Sequence, residues 1–332
     1  MKAYSSVLLL ICSIVVFSCS RDNDEQVVEI PKFDYPETIT FETNLSSYNV
    51  YQGTPAELVP SSDFHLYELS AVLFTDFAYK QRLVKLPAGV TMKKSSTGKI
   101  DFPNGTILVK TFYYFKDERD TTLGKNIIET RLLIKENETW NIATYQWNEQ
   151  QSEATLAISG ADKQLSWINK NGNTRSTLYH LPSQNECITC HQSTSVMTPI
   201  GPTVRNLNRN VQRNGSTQNQ LDYLHSAGLL ENLSAANELN IVDYKNVSIG
   251  LEDRARAYLD MNCSHCHNPT GWEESSQRDF DFRYETPLSS TGIEQGKSRI
   301  QMAIINGEMP FIGTTVIDHE GINLLLAYLN EL

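Results

Sequence analysis

Two kinds of hydrophobic periodicity divide this chain. Between residues 37 and 178, runs rich in β-branched and aromatic side chains recur at 106–115, 127–135, 139–147 and 154–159, which is how strands read. Polar turns separate them, including Pro103-Asn104-Gly105 and Glu136-Asn137-Glu138. In the first run Ile107, Val109, Thr111, Tyr113 and Phe115 share one face and Leu108, Phe112 and Tyr114 the other, so that strand is expected to be covered on both sides. Residues 71–79 read as a short helix or strand. A β-sandwich-like domain over 37–178 follows.

The pattern then changes to a helical one. Residues 251–261 hold no Gly or Pro, and Ala255 and Leu259 stack on the face that leads into Cys263. Residues 298–305 read as a helix stopped by Asn306-Gly307 and followed by an extended Met309-Pro310; Met302, mid-helix, is expected in the core. Asp318 is placed to cap a terminal helix whose Ile322, Leu325, Leu326 and Leu329 form one apolar stripe. Small Ala255 would let the two helices cross closely. Residues 204–211 and 220–230 are shorter helical runs. The expected fold class is therefore α+β and multidomain, with the β-sandwich-like domain followed by a segment over 179–250 and a mainly α-helical region over 251–332.

Composition narrows the function. The 332 residues carry 28 Lys+Arg against 39 Asp+Glu, a formal net charge of −11, which argues against nucleic acid as a partner. No repeated long apolar runs occur, so a multi-span membrane protein is excluded, while 15 Tyr, 12 Phe and 4 Trp provide ample core material. The N-terminus begins Met1-Lys2, is apolar over 7–17, and continues Ser18-Cys19 into a polar, acidic stretch. That order predicts a lipoprotein signal peptide over 1–18, a lipidated Cys19 as membrane anchor, and a linker over 19–36. An ordinary signal peptide cut after Cys19 is the alternative. Either way the chain is expected outside the cytoplasm, in a bacterial envelope, with the lipid-anchored form at the outer membrane.

The cysteines carry the chemistry. Cys12 leaves with the signal and Cys19 takes lipid; the other four form Cys187-Ile188-Thr189-Cys190-His191 and Cys263-Ser264-His265-Cys266-His267. CxxCH is the attachment pattern of c-type haem: thiols three apart on a helical turn can each add to a haem vinyl group, and the next His faces the iron. Two covalently bound haem c groups are expected, on Cys187 and Cys190 and on Cys263 and Cys266, with His191 and His267 as iron ligands. A disulfide within each pair or one shared Cys₄ zinc site would leave both His residues unexplained. A thioredoxin-like redox pair lacks its βαβ context. Around the first motif Met197, six residues past His191, leads His225 and His180 as distal ligand; an open iron is the other possibility. Arg205 and Arg209 are either haem propionate contacts or surface charge. His265 is expected to face solvent. The β-rich half shows no nucleophile constellation; Asp76, Lys80 and Arg82 could form a polar site, with solvated charges the default expectation.

The order helix, CxxCH, helix, Gly, Met-Pro, terminal helix over 251–332 resembles a class I cytochrome c domain. That resemblance implies Met309, 42 residues after His267, as the distal ligand of the second iron. Residues 73–78, 101–106, 110–114, 129–132, 147–149, 199–202, 205–208 and 255–268 resemble landmarks of a bacterial family of secreted or lipid-anchored, cytochrome-c-like proteins with two CxxCH motifs. The expected function is electron transfer by a di-haem lipoprotein, a carrier rather than a substrate-converting enzyme. Its redox partner protein would be basic or weakly charged and its association salt-sensitive. A haem enzyme using the first haem, or a subunit of an outer-membrane complex, are the alternatives.

Overall fold

A six-stranded antiparallel sheet organises the N-terminal half of the computed structural model, which describes residues 38–193, 196–271, 279–310 and 312–332. The signal segment, Cys19 and the linker to residue 36 lie outside the described residues. The strands are β1 (His65–Leu66), β2 (Tyr79–Lys85), β5 (Ile107–Phe115), β6 (Lys125–Glu136), β7 (Thr139–Trp147) and β8 (Ala154–Leu156), paired in that order. A small hairpin, β3 (Lys93–Lys94) with β4 (Ile100–Asp101), is inserted between β2 and β5.

Alternation along each strand gives the sheet two buried faces. Leu83, Val109, Leu132 and Ala143 lie opposite one another across β2, β5, β6 and β7. That face is covered by Leu45, Val50, Leu58 and Phe64 from the irregular segment that precedes the sheet. Val84, Leu108, Leu133 and Ile142 form the equivalent row on the other face. They pack with Cys187, Ile188, Val204, Leu207 and Leu221 from the segment around the first CxxCH. A ribbon, β9 (Ala161–Ile168) with β10 (Thr174–Leu181), is laid over the Phe112 and Tyr114 end of this face. Trp167 sits 4.7 Å from Tyr114, ring centre to ring centre. The second layer of the expected sandwich is thus a two-stranded ribbon, and the rest of that face is closed by the first CxxCH segment. Residues 71–78 are irregular, with Asp76 and Phe77 at φ 49° and 65°.

Beyond β10 come α1 (Gln184–His191), the two-residue strands β11 (Gln192–Ser193) and β12 (Val196–Met197), α2 (Val204–Leu207), the hairpin β13 (Asn210–Arg213) and β14 (Ser216–Asn219), and α3 (Gln220–Ser226). Three longer helices follow: α4 (Leu251–Asn262), α5 (Ile293–Ile305) and α6 (His319–Glu331). Asp318 caps α6 as expected, accepting from Gly321 N at 3.0 Å. Helices α4 and α6 bury Ala255, Leu259, Leu325 and Leu329 between them. Gly321 permits the approach, because a Cβ there would stand 2.3 Å from the Tyr258 ring. Helix α5 buries Ile293, Gly296, Ile300 and Ile304, which leaves Met302 outside at 59% exposure. The expectation of a core Met302 is corrected: the buried stripe lies on the other side of the helix. The described residues form one compact unit.

Candidate functional site

The first motif is placed by a helix start that local chemistry specifies. Ser183 N donates to Glu186 Oε2 at 2.7 Å, and Ser183 Oγ accepts from Glu186 N at 3.4 Å, a capping box that begins α1 directly after Pro182. Cys187, Cys190 and His191 then fall at i, i+3 and i+4 on one helical face. Cys187 is buried against β7, its Sγ 3.9 Å from Thr144 Oγ1, and burial pushes its thiol up to about 11. Burial also pulls His191 down to about 3, so the ring is neutral, although its bond to Thr198 opposes the shift. His191 Nδ1 lies 2.9 Å from Thr198 O. A carbonyl only accepts, so the hydrogen is on Nδ1 and the lone pair is on Nε2, which is the arrangement of a metal-ligating histidine held by a backbone partner.

The second motif closes the end of α4: Cys263 N and His267 N donate to Leu259 O and Cys263 O, each at 2.9 Å. Burial pushes the Cys263 thiol up to about 12. His267 is buried beside Phe280 and Phe282, at 6.1 and 5.3 Å between ring centres, and its carbonyl accepts from Phe282 N at 3.0 Å.

The two motifs face one another across a single cleft whose enclosed part measures about 320 Å³. All four thiols, His191, His267 and Met309 line it. Cys190 Sγ, Cys266 Sγ and a ring nitrogen of His265 lie within 4.8 Å of one another. His265 therefore faces the cleft rather than solvent; its Nδ1 is buried with no hydrogen-bond partner. The Cys190 thiol is raised well above its usual value, first by its bond to Cys266 and then by burial. Cys187 and Cys263 pack into separate hydrophobic clusters and do not belong to the group of Cys190, Cys266 and His265.

The remaining sequence-derived candidates fall elsewhere. Met197 is 1% exposed, packed in the cluster with Trp140 and Ile142, and is not among the cleft's lining residues. His180 bridges Asp162 and Glu186 at 2.7 and 2.9 Å, and His225 Nδ1 meets Leu230 O at 3.0 Å; neither lines the cleft. Arg205 pairs with Asp260 at 2.7 Å and with Glu285 at 2.5 Å. Arg209 donates to Leu69 O.

Sequence reasoning missed two contributors from the β-rich half. Lys110 on β5 and Arg131 on β6 line the cleft. Their signal was a charge within an otherwise apolar run, on the face shared with Leu108, Phe112 and Leu133. Asp76, expected to be solvated, is 3% exposed. Its carboxylate accepts from Thr315 N at 2.9 and 3.0 Å, Thr315 Oγ1 at 2.7 Å and Val316 N at 3.2 Å, fastening the loop that follows Met309.

No family model matches the chain, nor does any curated protein or solved structure. Among the described residues no helix is long and apolar enough to cross a membrane.

Proposed function

We propose that this protein is a di-haem c-type cytochrome, lipid-anchored through Cys19, that carries electrons at the bacterial cell envelope. The observation that supports it best is the convergence of both CxxCH motifs and Met309 on one cleft. Cys187 with Cys190, and Cys263 with Cys266, would hold the two groups by thioether bonds. Haem there would supply one-electron chemistry at a potential set by its axial ligands and burial. His191 fits an iron ligand because Thr198 O fixes its tautomer and ring plane. Phe280 and Phe282 pack against the His267 ring, and burial beside them limits water at that motif. Met309 would give the second site a thioether opposite the imidazole, which raises the potential. A net charge of −11 favours a basic or weakly charged redox partner.

A second reading, small-ligand redox chemistry at the first site, draws on the burial of Met197 away from the cleft. A high-spin spectrum would favour it, and two six-coordinate low-spin centres would sink it.

The test is expression with a working haem-ligation pathway, followed by a pyridine haemochrome count and mass spectrometry of the peptides around Cys187 and Cys263. Two haems per chain are expected, one on each peptide. Bare peptides at both positions would overturn the proposal. Met309→Ala should abolish the methionine-to-iron charge-transfer band in the red. Loss of labelled fatty acid from a Cys19→Ala chain tests the anchor.

A further inference from the structure

Lys80, Arg82, Lys110 and Arg131 crowd one stretch of the inner face of the sheet, where burial and the neighbouring cations hold the Lys80 and Lys110 amines well below their ordinary value. Arg82, Lys110 and Arg131 stand directly opposite one another on three adjacent strands, β2, β5 and β6. Lys80 shares that face two residues before Arg82. Like charges directly opposite one another destabilise a sheet, and a buried cation without a partner costs more than a buried pair. One carboxylate on the face answers them. Glu129, 0% exposed, takes Arg131 Nε and Nη2 at 3.0 and 2.5 Å and is fixed by Tyr179 OH at 2.6 Å. Lys80 Nζ is committed to Leu73 O at 2.8 Å. Arg82 and Lys110 make no ion pair among the described residues, and Lys110 Nζ lies 4.9 Å from the Phe112 ring centre. Lys110 and Arg131 are the members of this row that reach the cleft, where Cys187 and His191 form the adjoining wall.

We propose that Lys110 and Arg131 form a receptor for a carboxylate or comparably small oxyanion held in the cleft beside the first CxxCH. Arg131 is preorganised by Glu129 and keeps Nη1 for the ligand, a geometry suited to planar oxyanions; Lys110, disfavoured as a cation by burial and by Arg82 and Arg131, gains an ion-pair partner when the anion binds. The identity of the natural anion rests on the di-haem reading. If that holds, it is a propionate of the first haem; if the first site serves small ligands, it is a soluble oxyanion. The β-rich half then acts as one wall of the binding site rather than as a separate module.

The test uses the full-length protein as purified, with haem counted first. Absent haem then sinks the di-haem reading and leaves the receptor to be judged by sulfate alone. The thermal midpoint is measured in millimolar sulfate at constant ionic strength for the native chain and for Lys110→Met. Arg131→Lys is the second variant; it retains a cation beside Glu129 and so guards against misfolding. A sulfate-dependent rise in the native chain, with about tenfold weaker sulfate affinity in Lys110→Met, identifies a soluble oxyanion. If the haem-loaded native chain ignores sulfate and Lys110→Met shifts the resonance Raman propionate-bending band, the carboxylate is the haem's own. Equal sulfate response in native and variant chains, together with an unmoved propionate band in any loaded protein, overturns the receptor.

Discussion

Replacing Asp76 by Asn isolates the contact that ties the β-rich half to the loop after Met309. Three donors converge on this carboxylate, Thr315 N shared between both oxygens, Val316 N on Oδ1 and Thr315 Oγ1 on Oδ2, and the side chain is 3% exposed, so water cannot substitute for a lost acceptor. Asn keeps one oxygen. With that oxygen in the place of Oδ1 it still accepts from Thr315 N and Val316 N, and the NH₂ group faces Thr315 Oγ1, a hydroxyl that can accept, so the main change is loss of the negative charge. Asp76 sits at φ 49°, a left-handed conformation that Asn adopts as readily as Asp, whereas Ala would add backbone strain of about 1 kcal/mol. Asn therefore removes the charge and changes little else. Hydrogen bonds to a charged group contribute about 1.5–3 kcal/mol against about 0.5–1.5 kcal/mol for neutral ones and are not additive, so converting these charged bonds to neutral ones should destabilise the protein by about 1–3 kcal/mol. Urea denaturation should show a lower midpoint at unchanged slope. A loss within about 0.5 kcal/mol, the range of an ordinary surface substitution, would refute the clamp.

Three further substitutions probe other contacts. Gly321→Ala places a Cβ 2.3 Å from the Tyr258 ring; overpacking of about 1–3 kcal/mol should exceed or cancel the helix-propensity gain of about 1 kcal/mol, and a clearly stabilised variant in denaturant would disprove the α4–α6 crossing. Tyr179→Phe removes a donor from the buried Glu129 carboxylate, 2.6 Å from the hydroxyl, and should lower stability by about 1.5–3 kcal/mol, read as a reduced denaturation midpoint. Burial pushes the His180 imidazole down, but the hydrogen bonds and charges of Asp162 and Glu186 outweigh it and leave the group raised above 6.5. A raised folded value means the contribution is complete below pH 6.5 and is lost as pH climbs through that value. The melting-temperature gap between native and His180→Gln chains should therefore be widest on the acid side and close toward alkaline pH; a gap that widens upward contradicts the bridge.

Sequence determined what neighbours in the chain can settle among themselves. Strand β7 follows the expected bounds, 139–147, because Trp140, Ile142, Thr144 and Gln146 alternate with Asn141, Ala143, Tyr145 and Trp147 and both sets are useful in a sheet buried on two sides. Helix α4 begins at residue 251 and α6 is capped by Asp318, since caps and periodicity act within one or two turns. The thiol and imidazole spacing of each CxxCH belongs to the same class of information. Strand β2 and the ribbon β9–β10 escaped notice because Lys80, Arg82, Lys163 and Arg175 mask their alternation.

Tertiary structure decided which faces meet. Helical periodicity gives an apolar stripe but not its partner, so His265 turns into the cleft and Met302 out of the core. Cys190 meets Cys266, and Asp76 meets the loop at Thr315, 239 residues away. Long loops are closed only when burial across the whole domain offsets the entropy lost. Local pattern specified the reactive groups, while the cleft, the basic side chains in its wall and the Asp76 contact with Thr315 and Val316 came from packing between distant segments.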